Sequence, residues 1–165
     1  MKVRVLVDNN TLIDKYYLAE PGFSVLIEEG DVRILFDTGY SDIFIRNAQK
    51  MGLTLSHLDY VVLSHSHLDH TWGLDPLIRY FSELKIGDIS CSLPVIIAHS
   101  QTFVSVSEKS FAEFGSLISK EKLAKHFQLG LTDKPFWLTD RLVFLGQIPR
   151  TNDFESVLRF GRKDK

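Results

Sequence analysis

Cysteine is almost absent: Cys91 is the only one in 165 residues. A lone thiol excludes an internal disulfide framework and any Cys-x-x-Cys metal or redox site, and leaves Cys91 a buried or incidental thiol. Long apolar runs are missing too, and no stretch approaches the roughly 20 residues of a membrane span. The opening segment, Met1-Lys2-Val3-Arg4-Val5-Leu6-Val7-Asp8, is too short for a signal peptide and alternates like a strand. A cytoplasmic protein without membrane contact is therefore expected. Nor is there an excess of positive charge. Nineteen basic residues face twenty-one acidic ones, and no basic run interleaves with aromatics, which argues against a nucleic-acid partner. The mildly basic tail Gly161-Arg162-Lys163-Asp164-Lys165 reads as a solvated end. Repeats and low-complexity segments are absent.

What remains is an ordinary globular composition, 44% hydrophobic and 24% charged, long enough for one domain over 1–165 with a real core. Lys2 to Val7 has the period of a half-buried strand. Phe23 to Glu28 and Val32 to Phe36 flank Glu29-Gly30-Asp31 and predict a β-hairpin. Ser41 or Asp42 can cap a helix that buries Phe44, Ile45, Ala48 and Met51 and ends at Gly52. Tyr60 to Leu63 predicts a buried strand, and Asp75-Pro76 a helix start with Leu77, Phe81 and Leu84 inside. Pro94 to Ala98 reads as a strand, and Ser119 to Phe127 as a Lys-rich helix burying Leu123 and Phe127. Phe136–Leu138 and Leu142–Ile148 form another strand pair, turned at Thr139-Asp140-Arg141. Hairpins together with strand–helix–strand units make the class mixed α/β (α+β).

The chemistry concentrates in six residues, His65-Ser66-His67-Leu68-Asp69-His70. Three imidazoles and a carboxylate are good ligands for a borderline transition metal, and no fold requires them side by side. In an extended segment, residues two apart project to the same side, so His65 and His67 can chelate one ion together. Asp69 and His70 lie where a curling loop aims them at a second. Paired metals can share a hydroxide that attacks an ester, amide or phosphate, and Asp69 is placed to move its proton. Asp37, at the end of a buried strand beside Thr38-Gly39, is either a carboxylate that orients a ligand imidazole or a turn aspartate capping local backbone.

The run His65-x-His67-x-Asp69-His70, preceded by strand-end Asp37-Thr38-Gly39, resembles the metallo-β-lactamase superfamily. Phe23-Ser24-Val25-Leu26-Ile27-Glu28, Asp59-Tyr60-Val61-Val62-Leu63-Ser64 and the segment from Ile148 to Glu155 resemble one branch of it. That branch holds metal-dependent hydrolases and an archaeal dihydropterin-methyl-ribofuranosylaminobenzene phosphate synthase. The resemblance implies the N-terminal part of an αββα sandwich. It further implies that His65 and His67 bind a first metal, that Asp69 and His70 bind a second, and that Asp37 stands behind them. Zinc suits these ligands, as do iron, manganese or cobalt.

Two departures from the family pattern bear on function. Thr71-Trp72-Gly73 places an indole where the family usually has a pair of small residues. Trp72 then either narrows the pocket, stacks on a planar substrate, or packs in the core. The chain also reads as truncated, because members of the family continue well past Phe154-Glu155 and take further ligands from that later part. After His70 only His99 and His126 remain as imidazoles. His126 reads as a solvated surface residue. His99 either approaches the metal or substrate, or is a loop histidine bonded to its own backbone. An inner apolar sheet face left without its cover would forfeit on the order of 10 kcal/mol at roughly 25 cal/mol per Å². A companion chain, a second copy of this chain or a rearranged packing is expected to supply it; a truncated reading frame of poor stability is the remaining alternative. Three functions follow: a metal-dependent hydrolase of a small molecule, a pterin-type transferase using the same metals, or a partner-dependent subunit without turnover of its own.

Overall fold

The computed structural model describes residues 1–107, 112–149, 151 and 162–163. Its framework is a six-stranded mixed sheet in the order β1-β2-β3-β4-β5-β7. Strands β1 (Lys2–Val7), β2 (Ser24–Glu29) and β3 (Val32–Phe36) form an antiparallel meander. Gly30, at the first position of the β2–β3 turn, has a φ of 58°, which suits a two-residue hairpin. From β3 the chain changes mode. Helix α1 (Ile43–Lys50) leads to β4 (Tyr60–Val62), and helices α2 (Leu68–Thr71) and α3 (Leu74–Ile86) lead to β5 (Val95–Ala98). After the short β6 (Val106–Ser107) and α4 (Lys120–Leu123), β7 (Gln128–Leu131) completes the sheet. The β3/β4, β4/β5 and β5/β7 pairs are all parallel. A small hairpin, β8 (Phe136–Trp137) with β9 (Val143–Phe144), and a bridge of β10 (Arg162–Lys163) to β6 follow.

The parallel strands are near-continuous apolar runs because both of their faces are covered. On one face Leu35, Val61 and Ile96 pack against Phe44, Ala48, Leu74, Leu77 and Phe81 of α1 and α3. On the other, Ile34, Val62 and Ile97 meet Leu138, Leu142 and Phe144 of the β8–β9 hairpin segment. That cover is partial: an apolar slot of about 370 Å³ lies between sheet and hairpin. Trp137, Leu145 and Ile148 are left exposed.

Several elements differ from the sequence reading. Asp42 precedes α1 but makes no side-chain capping bond; its carbonyl accepts from Ile45 and Arg46 instead. Met51, at the end of α1, is only partly buried. Helix α3 begins one residue before Asp75, whose carboxylate pairs with Arg79 one turn on at 2.9 Å rather than capping. The Lys-rich helix is only four residues long, with Ser119 accepting from the Lys122 N–H, yet Leu123 and Phe127 are both buried as expected. The strand read over Leu142–Ile148 is confined to Val143–Phe144. The sequence pattern predicts no strand at β7. Its Gly130 interrupts the apolar pattern, and a Cβ there would stand 2.6 Å from the Ile97 side chain across the ladder. Of the resembling segment 148–155, residues 150 and 152–155 lie outside the described residues, as do 161 and 164–165 of the tail.

Candidate metal centre

Three parallel strands release their chain ends on the same edge of the sheet. Asp37 follows β3, Ser64 and His65 follow β4, and His99 follows β5. Crevices outside the carboxyl ends of parallel strands are where open α/β sheets gather their ligands.

Asp37 is the anchor. Its carboxyl is fully buried and its backbone is left-handed, with a φ of 55°. Oδ1 accepts from the Ser64 N–H at 2.7 Å. Oδ2 accepts from the Ser64 hydroxyl at 2.7 Å and from His70 Nδ1 at 2.7 Å. The backbone on either side is equally committed. The Asp37 N–H donates to the Val62 carbonyl at 2.8 Å, and its own carbonyl accepts from the Ser24 hydroxyl at 2.9 Å. The sequence left Asp37 between an orienting carboxylate and a turn cap; in the structure it bonds the His70 imidazole directly.

The single helical turn α2 places His70. The Thr71 hydroxyl binds the His67 carbonyl at 3.0 Å. The His70 carbonyl receives the Thr38 N–H at 3.0 Å and the Thr38 hydroxyl at 2.9 Å. Glu20, which the sequence reading passed over, fixes the next stretch. Its carboxylate accepts from the N–H groups of Tyr40 and Ser41 and from the Ser41 hydroxyl. No local pattern announces Glu20; only the loop folding back over residues 39–41 gives it partners.

Ligand atoms of His65, Asp69 and His70 all lie within 4.8 Å of one another. His70 Nε2 and Asp69 Oδ2 are 3.4 Å apart. Two ligands each about 2.0–2.1 Å from a tetrahedral ion stand about 3.4 Å from each other, so this pair already has the spacing of two corners of a zinc site. Imidazole with carboxylate fits zinc, iron or manganese. The His67 ring is 4.5 Å from that of His65, edge to face, and packs against Phe114 at 4.8 Å. The structure thus groups His65 with Asp69 and His70, while His67 stands beside His65 outside that trio.

The two imidazoles of the trio titrate in opposite directions. Burial, reinforced by the neighbouring His70 and His67, pushes His65 down to about 4. Burial also opposes charge on His70, but the Asp37 hydrogen bond and the charges of Asp37 and Asp69 outweigh it and raise the pKa above the usual 6.5. In metal-free protein the His65 contribution to stability is therefore full above pH 6.5 and is lost as pH falls toward 4. The His70 contribution is full below pH 6.5 and is lost as pH rises through its raised pKa. Imidazole NMR titration of metal-free protein should show His65 half-protonated near pH 4 and His70 above 6.5. Coincident curves near 6.5 would contradict this environment.

The remaining candidates part company. His99 lines a cavity of about 610 Å³ together with Ser64, His65, His67, Gln101 and Phe144. Its Nδ1 accepts from the Gln101 N–H of its own loop at 3.1 Å and its Nε2 faces Asp133, after β7, at 3.2 Å, so both ring nitrogens are engaged. Trp72 lines a different cavity, between α1 and α3. It stacks on Tyr40 with ring centroids 5.0 Å apart, and its N–H donates to the Gly115 carbonyl at 2.7 Å. The indole thus packs on Tyr40 at the wall of that cavity, away from the histidine cluster's cavity. His126 is exposed, and Cys91 is a free, half-buried thiol. Among the described residues no helix is long and apolar enough to cross a membrane.

Residues 18–87, which contain Asp37 and the whole histidine cluster, match the family model described as the metallo-beta-lactamase superfamily. An uncharacterized protein of Methanocaldococcus jannaschii is 32% identical over 154 residues, covering 93% of this chain and 56% of that protein. The 7,8-dihydropterin-6-methyl-4-(beta-D-ribofuranosyl)-aminobenzene-5'-phosphate synthase of the same organism is 30% identical over 176 residues, covering 99% of this chain and 54% of that protein. The chain spans about half the length of these curated relatives. In fold it is similar to the crystal structure of Tm1679, described as a metal-dependent hydrolase of the beta-lactamase superfamily. The TM-score is 0.64 at 22% identity, over 86% of this chain and 46% of that one. With its mixed sheet, its flanking helices and its Asp37–His70 pairing at the strand ends, this chain belongs to the metallo-beta-lactamase superfamily.

Proposed function

We propose that the chain is a metal-dependent hydrolase, or the metal-holding half of one, acting on a small molecule. The observation that carries this reading is the trio His65, Asp69 and His70, with ligand atoms inside 4.8 Å and His70 already oriented by a buried carboxylate. A divalent cation, most simply zinc, supplies Lewis-acid activation of water when bound. The chain's own residues do the rest. Asp37 holds the Nδ1 proton of His70 and leaves Nε2 as the ligating atom. Asp69, whose side chain is 34% exposed, reaches solvent and is the group that takes the proton from the attacking water. The cavity lined by His65, His67 and His99 receives the substrate.

Further ligands of a complete centre, on this reading, come from a companion chain or a second copy of this one. His99 has no ring nitrogen to spare and His126 is exposed. The exposed Trp137, Leu145 and Ile148 beside the apolar slot mark the face such a partner covers.

Zinc titration of the metal-free chain tests the reading. One equivalent should bind, and Asp69→Asn and His70→Ala should each weaken it at least about 100-fold, since removing a ligand exceeds the 10–100-fold loss typical of an orienting partner. A wild-type chain that holds less than one equivalent sinks the proposal. A transferase of the pterin type is the second reading, favoured by the 30% identity to the synthase over nearly the whole chain. Incorporation of oxygen-18 from labelled water into product separates the two: the hydrolase takes it up, the transferase does not.

A further inference from the structure

Ser64 stands between the two halves of the site, and neither the motif nor the family comparison assigns it a task. It sits between the buried Leu63 and His65, with its side chain open to the cavity. Its hydroxyl lies 2.7 Å from Asp37 Oδ2 and 2.9 Å from His65 Nδ1. A hydroxyl has one proton to give and lone pairs to accept with. An ionised carboxylate only accepts, so the Ser64 proton goes to Asp37. The same oxygen can then only accept from His65, which requires the His65 proton on Nδ1. What remains on that ring as a lone pair is Nε2.

His70 reaches the same result without an intermediary, because its Nδ1 bonds Asp37 Oδ2 directly. One buried carboxylate therefore sets the tautomer of two imidazoles, one by contact and one through a single hydroxyl. We propose that Ser64 is a positioning residue that relays Asp37 to His65, holding His65 as the Nδ1–H tautomer with Nε2 turned to the cation. The tautomer assignment stands on the hydrogen-bond geometry; the link to metal affinity rests on the functional reading above.

The chain of donors makes a specific demand on substitution. Alanine at position 64 removes the acceptor from His65 Nδ1 but leaves the Ser64 backbone N–H on Asp37 Oδ1 in place. Threonine keeps the hydroxyl. Because the side chain is exposed, neither change disturbs the core. A merely structural serine would tolerate both equally.

Nitrogen-15 NMR of the metal-free protein at neutral pH reads the tautomers directly. Wild type and Ser64→Thr should show His65 protonated at Nδ1, whereas Ser64→Ala should move the proton to Nε2 or give a mixture. His70 should keep its Nδ1 proton in all three. In competition titrations with a chromophoric chelator, Ser64→Ala should bind zinc about 10–100-fold more weakly, the range for loss of an orienting partner, and Ser64→Thr within about threefold of wild type. The proposal is overturned if wild-type His65 carries its proton on Nε2, or if Ser64→Ala changes neither tautomer nor affinity. A wild-type chain that binds no zinc overturns the affinity link and the hydrolase reading together. The metal-free spectra still decide the relay, so the two failures are told apart.

Discussion

Asp37→Ala will cost about 4 kcal/mol of stability in denaturant titration of the metal-free protein and will weaken zinc binding about 100-fold, the top of the range for an orienting partner. The carboxyl is fully buried and satisfies three donors: the Ser64 N–H, the Ser64 hydroxyl and His70 Nδ1. Hydrogen bonds to a charged group contribute roughly 1.5–3 kcal/mol each, and breaking a buried pair from one side costs about 3–5 kcal/mol. Ser64 is open to the cavity, so water can replace part of what it loses, which keeps the expected figure at the middle of that range. The backbone adds a smaller term. Position 37 has a φ of 55°, where alanine is disfavoured by roughly 1–2 kcal/mol while asparagine is tolerated. Two companions separate these terms. Asp37→Gly relieves the backbone and should recover roughly 1 kcal/mol relative to Asp37→Ala. Asp37→Asn keeps the shape and the left-handed backbone but can turn an amide toward His70 Nδ1, where a donor meets a donor. It should retain most of the stability and still lose zinc affinity about 10–100-fold, as orienting partners of metal ligands do. If Asp37→Asn bound zinc as wild type does, Asp37 would be a turn residue and not the anchor of the site.

How much of this was legible in the sequence depends on distance along the chain. His65, Asp69 and His70 fall within six residues, so their meeting needed only a strand end and one helical turn. The grouping did not follow from spacing alone. The alternation argument pairs His65 with His67, and the two rings do stand 4.5 Å apart on the extended stretch before the helix. Beyond it the chain turns into helix at Leu68, which carries Asp69 and His70 round to His65. Asp37 meets Ser64 across 27 positions and His70 across 33. Its place at the end of a buried strand singled it out, but nothing local distinguishes an orienting carboxylate from a turn aspartate. Ser64 and Glu20 went unread because each is a common residue whose partners arrive only through tertiary folding. The parallel strands β3, β4 and β5 were legible as apolar runs, whereas β7 was not, because Gly130 breaks its pattern where the strand lies against Ile97. Trp72 was visible as an oddity, yet its direction was not. A residue two positions beyond His70 already belongs to the opposite wall of the loop, against Tyr40 and Gly115.

That wall is where the second large effect lies. Gly73→Ala should destabilise the protein by about 3 kcal/mol, the upper part of the range for overpacking a close-packed site, and weaken zinc binding at least about tenfold. Gly73 has ordinary right-handed helical backbone, with a φ of −63°, so alanine meets no conformational penalty there and the effect is purely steric. A Cβ at position 73 would stand 2.8 Å from the Thr38 carbonyl carbon and nearer still to its oxygen. These are backbone atoms, and they have nowhere to go. Thr38 is tied to the His70 carbonyl by its N–H and its hydroxyl, the Gly39 carbonyl accepts from the Gly73 N–H at 3.2 Å, and Glu20 holds the loop from behind at Tyr40 and Ser41. If Thr38 recedes, Asp37 recedes with it and loses its 2.7 Å reach to His70 Nδ1. The control is Gly87→Ala at the other end of the same helix, where φ is −82° and a Cβ would come no nearer than 3.3 Å to the Glu83 carbonyl oxygen. That change should shift stability by less than about 1 kcal/mol and leave metal affinity alone. Equal behaviour of the two variants in thermal unfolding and zinc competition would show that the loop after β3 yields freely. The rigid coupling between Thr38 and Gly73, on which the aim of Asp37 at His70 depends, would then be absent.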